Sequence, residues 1–114
     1  MKKVLIITVI CITMVAALVG CNGYKNVAPD YEGAEQFESA LEEGVDTEGK
    51  IVTFTVTDIR PNSYFGYNLF AGKHLNFVSD ANPKVQVGDT LTVRVKEVRN
   101  VIGSWIITYE MIAR

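Results

Sequence analysis

The chain is poor in cysteine, histidine and proline, and each shortage removes a class of explanation. Its two cysteines are Cys11, inside an apolar N-terminal run, and Cys21, at the end of that run. Neither can staple the residues that follow, so a domain beyond Cys21 must hold together by packing alone. The single histidine, His74, cannot by itself supply the ligands of a zinc site, and no carboxylate spacing around it completes one. There is no phosphate-binding loop and no GxGxxG pattern. Ser63, Ser79 and Ser104 have no base at a meaningful spacing. The expectation is therefore no enzyme, no cofactor and no metal. Basic charge is scarce too: 11 Lys and Arg stand against 13 Asp and Glu. A mildly acidic protein has no general attraction for phosphate backbones, which argues against a nucleic-acid partner.

What is present begins with the first 20 residues. Lys2 and Lys3 give a positive start, and Val4 to Ala17 is apolar except for Thr8 and Thr13. This is the layout of a secretory signal peptide. It ends in Leu18-Val19-Gly20-Cys21, which resembles the lipobox of bacterial lipoproteins. Small Gly20 lets a peptidase approach the bond before Cys21, Leu18 offers an apolar anchor, and the Cys21 thiol is the nucleophile that takes up a diacylglyceryl group. The rival reading is an uncleaved helix, since the uncharged stretch from Val4 to Gly20 has 17 residues, at the short limit for a span of about 30 Å. The resemblance implies a product lipidated on Cys21 and anchored to the extracytoplasmic face of the cell membrane. Cleavage would leave 94 of the 114 residues and shift the net charge from −2 to −4, because Lys2 and Lys3 depart. Residues 21–33, with Gly23, Pro29 and Gly33, read as the lipidated cysteine and a flexible tether.

Residues 34–114 form the expected domain. Ala34 to Glu43 has Phe37 and Leu41 at helical spacing and Glu35, Glu38 and Glu42 elsewhere, so a short helix is predicted. From Asp30 to Glu48 there are eight acidic side chains and no basic one. That segment is either a solvated helix face or a shield for a basic surface. After Gly49 the period changes to two. Val52, Phe54 and Val56 alternate with threonines, and Leu91, Val93 and Val95 alternate with Thr92, Arg94 and Lys96. Further strands are predicted over Tyr64–Ala71, His74–Ser79 and Trp105–Ile112, with turns at Arg60–Ser63, Gly72–Lys73, Asp80–Pro83 and Asn100–Gly103. The last strand places Trp105, Ile107, Tyr109 and Met111 on one face.

The openings Gly49-Lys50-Ile51-Val52-Thr53-Phe54 and Val87-Gly88-Asp89-Thr90-Leu91-Thr92-Val93 resemble those of OB-fold domains, in particular exported domains grouped with anticodon-binding-like folds. The likeness implies a mainly β, five-stranded OB-like antiparallel barrel preceded by one short helix; an SH3-like barrel is the alternative. Asp80–Gly88 is too short for the helix many OB folds carry there, leaving Phe37 and Leu41 of the leading helix to plug the barrel. In OB folds the second and third strands form a binding surface. Alternation then makes Asn68, Phe70, Lys73, His74 and Asn76 the ligand-binding face. The implied function is a membrane-anchored binding module for an envelope protein, peptide or glycan. A structural role in an envelope complex and exported nucleic-acid binding are the alternatives.

Overall fold

The computed structural model describes residues 28–114. The proposed leader, the lipobox Leu18–Cys21 and most of the tether lie outside the described residues. No helix among the described residues is long and apolar enough to cross a membrane.

The domain is mainly β. Its elements are β1 (Tyr31–Glu32), α1 (Ala34–Glu42), β2 (Ile51–Thr55), β3 (Asp58–Ser63), β4 (Gly66–Ala71), β5 (Leu75–Ser79), β6 (Thr90–Val101) and β7 (Ser104–Ala113). They form one sheet in the order β1-β2-β6-β7-β5-β4-β3. The ladder is open, with β1 and β3 as its terminal strands. The β5–β7 and β1–β2 pairs are parallel and the others antiparallel.

The helix starts at Gly33 (φ 106°), which has no side chain to cap it, and the Gln36 carboxamide oxygen accepts from the Glu32 N–H at 3.0 Å. It ends in paired reverse bonds, Gly44 N–H to Leu41 C=O at 3.1 Å and Val45 N–H to Ala40 C=O at 3.0 Å. That closure needs a residue with positive φ, and Gly44 supplies it at 84°. Phe37 and Leu41 are buried in the core, as their spacing predicts.

The strand count departs from the expected five. Tyr31–Glu32, placed in the tether, adds to the edge of β2. The expected first strand divides into β2 and β3 because consecutive residues change partners. Val56 N–H donates to Asp89 C=O at 2.9 Å, whereas Thr57 N–H donates to Phe70 C=O at 2.8 Å. Arg60–Ser63, expected as a turn, belongs to β3. Pro61 is tolerated there because β3 is a terminal strand, where a missing N–H breaks no ladder. The true turn is Tyr64–Phe65. At the β6–β7 hairpin, the strands are joined by Ile102 and Gly103 alone, with φ of 49° and 84°. Two positive values in succession match the hairpin turn that suits strand twist.

Alternation explains the core. Val52, Phe54, Val56, Leu91, Val93 and Val95 all point inward and are at most 1% exposed. Phe77 occupies the centre. Its ring lies parallel to Phe54 at 3.9 Å and contacts Phe37 at 6.0 Å and Tyr109 at 6.1 Å.

Candidate functional site

The β4–β5–β7–β6 ladder has a second face, and register places its residues in two rows. One row is Phe70, Asn76, Ile106 and Arg99; the next is Asn68, Val78, Thr108 and Glu97. Simple alternation along β6 does not put Glu97 and Arg99 here. A bulge between Val95 and Glu97 leaves Lys96 as the extra residue and reverses the parity, so that Val98 turns inward and Arg99 outward.

Phe70, Asn68 and Asn76 of the expected ligand face therefore share one side of the sheet. Their exposure differs from a free binding surface. Asn68 is 1% exposed and Asn76 is 7% exposed. The Asn68 amide nitrogen reaches Arg60 C=O at 3.0 Å, Ser63 Oγ at 2.6 Å and Gly66 C=O at 2.7 Å, and Asn76 donates to Asn68 Oδ1 at 2.9 Å. Phe70 is half-buried beneath the Arg60 guanidinium, 5.4 Å from its ring centre. These groups hold the β3–β4 turn in place. The Asn76 side-chain oxygen is buried without a partner.

Lys73 and His74 lie off this face, in the β4–β5 turn. Their backbone N–H groups donate to the Glu38 carboxylate at 2.8 and 3.0 Å, and His74 Nδ1 lies 3.0 Å from Glu38 Oε2. Glu38 is 5% exposed. It joins the helix to the turn, and Gly72 makes room for it. A Cβ on Gly72 would sit 2.5 Å from Glu38 Oε1, at a φ of 58° that side chains resist. Donor atoms of Glu38, Glu42 and His74 come within 4.8 Å of one another. Because the Glu38 oxygens are already committed to the turn, this cluster reads as a latch. Sequence spacing misses it, because His74 follows Glu38 by 36 residues.

Between the Phe65 ring and β6 the outer face forms a groove of about 300 Å³. Val78 and Ile106 lie in it, with Lys96, Arg99, Glu97 and Asp80 around them. Val78 is 6% exposed and Ile106 4% exposed, although both face away from the core. Tyr109 also lines it. Burial pushes the Tyr109 phenol above its usual range; the contact with Ser79, at 3.5 Å, opposes this, and nearby Tyr67 adds to it. None of the residues expected to form the ligand-binding face lines this groove. Ile106 and Arg99 escaped because the bulge and the parallel β5–β7 pairing bring them in.

A second, larger cavity of about 750 Å³ lies elsewhere, between the start of α1, the edge of β2 and the β4–β5 turn. No protein-family model matches the chain, and no match is found among curated proteins or solved structures.

Proposed function

We propose that the chain is a lipid-anchored extracytoplasmic lipoprotein whose OB-like domain is a binding module for an envelope protein, peptide or glycan. The OB-like reading draws on the strand order. Taken as one interrupted run, Ile51–Ser63 supplies both β2 and β3, which lie towards opposite ends of the ladder. Counting that run once, and leaving aside the two-residue β1, gives the five strands of a partly open barrel. Anchoring draws on the charged start, apolar run and lipobox-like end at Cys21.

The observation that carries the binding role is the groove between Phe65 and Arg99. It offers apolar floor residues, an aromatic wall and charges of both signs, the makings of a small recognition site. A groove containing Lys96 and Arg99 together with Glu97 and Asp80 has no net pull on a polyanion, so a protein or glycan suits it better than nucleic acid. NMR shift mapping against solubilised envelope fractions tests this. Amides of Val78, Ile106 and Thr108 should move with at least one protein or glycan fraction, and Phe65→Ala should weaken that response. Silence of this face towards every fraction removes the reading.

A further inference from the structure

Backbone hydrogen bonds along residues 50–57 alternate in direction. Even-numbered residues face β6 and the turn that leads into it: Val95 N–H donates to Lys50 C=O at 2.9 Å, and Gly88 N–H donates to Val56 C=O at 2.8 Å. Odd-numbered residues face the other way. Asp30 N–H donates to Ile51 C=O at 2.8 Å, Gly33 N–H donates to Thr53 C=O at 2.7 Å, and Thr57 N–H donates to Phe70 C=O at 2.8 Å. Thr55, opposite Thr90 in the ladder, therefore points its N–H and C=O away from β6. β1 stops short of it, since the chain leaves the edge at Gly33 to begin α1. Pairing with the β4 side resumes only at Thr57. Among the described residues, the N–H and C=O of Thr55 are thus left open at the sheet edge, between two strands that flank them.

That opening faces the 750 Å³ cavity, which has Gly33 and Ala34 on one side and Gly72 and Lys73 on the other. Glu32 and Glu35 line it, and among the described residues Lys73 is its one basic lining residue. Both carboxylates belong to the acidic segment from Asp30 to Glu48, which has eight acidic side chains and no basic one. An exposed strand edge is a template for another extended chain, and the surrounding charge selects which chain.

The geometry points to this cleft as a docking site for an extended, basic polypeptide segment of a partner protein. One residue of the partner, running antiparallel to β2, accepts from Thr55 N–H through its C=O and donates its own N–H to Thr55 C=O. Its neighbouring Lys or Arg side chains reach Glu32 and Glu35. The site is separate from the groove beside Phe65, and neither depends on the other.

The test uses the full-length chain, ¹⁵N-labelled in detergent micelles, and a capped hexapeptide alternating valine and lysine. The expected result is saturable movement of the Thr55, Gly33 and Gly72 amides, with slower hydrogen exchange at Thr55. N-methylation of the peptide's central residue should weaken binding roughly fivefold, the worth of one main-chain hydrogen bond. Glu32→Gln and Glu35→Gln should each weaken it roughly two- to fivefold, with added salt acting in the same direction. Both residues are exposed, so these variants leave the fold intact. The inference is overturned by equal binding of a glutamate-containing counterpart. It is also overturned by indifference to N-methylation, by no saturable shift at millimolar peptide, or by a Thr55 amide already protected without peptide, which would mean that this chain or a second copy fills the cleft.

Discussion

Single residues account for how the β4–β5 turn is held. The Glu38 carboxylate accepts two backbone N–H groups and faces the His74 ring in a nearly water-free position. Glu38→Ala leaves those donors without a partner and should lower unfolding free energy by about 2 kcal/mol, read by urea denaturation. Gly72→Ala should cost about 1–3 kcal/mol, because a Cβ meets Glu38 Oε1 and the backbone there has positive φ. Tyr109 provides a pH signature. Burial holds its phenol above the ordinary value of 10.0, so the unfolded chain loses that proton first. The contribution is intact below pH ~10 and declines as pH rises beyond it. Thermal melts across that range should show the decline, and Tyr109→Phe should flatten it.

At the level of elements, the bulge at Lys96 decides which side chains of β6 meet the core. Before it Val93 and Val95 point inward; after it Val98 does. Deleting Lys96 would join Val95 directly to Glu97, keeping Glu97 opposite Thr108 on the outer face and Val98 opposite Ile107 on the inner face of a ladder without the bulge. Because the register on both sides is kept, the deletion should cost no more than about 1–3 kcal/mol, with a cooperative urea transition and dispersed amide resonances retained; a collapsed midpoint would show that the bulge itself is required. Layer formation depends on β5 in the same way. Phe77 touches aromatic rings from α1, β2 and β7, so Phe77→Ala should cost about 3–5 kcal/mol in the same assay.

For the whole molecule, the thin core and the missing disulfide set the terms. A domain of this size buries only about 60–65% of its unfolded surface, so stability rests on the few rings and β-branched residues at its centre. The proposed anchor belongs to this scale. Cys21→Ser should abolish incorporation of a tagged fatty acid, while equal labelling of the variant would exclude a lipid on that thiol. Anchoring would hold both the Phe65 groove and the β2 cleft outside the cytoplasm, where an envelope protein or glycan can reach them.

Local pattern in the chain was enough for the mainly β class, the position of α1, the inward faces of β2 and β6, and the burial of Phe37 and Leu41. These follow from periods of two and 3.6 residues, which need no knowledge of neighbours. Tertiary structure alone decided three things. It moved Asn68 and Asn76 from an open surface to a buried hydrogen-bonded pair, because the β3–β4 turn folds onto them. It assembled the groove from β5, β6 and β7 through a parallel pairing and a bulge, neither of which has a local signature. And it split Ile51–Ser63 between two ends of a sheet, because the neighbour that each backbone amide meets depends on strands far away in sequence.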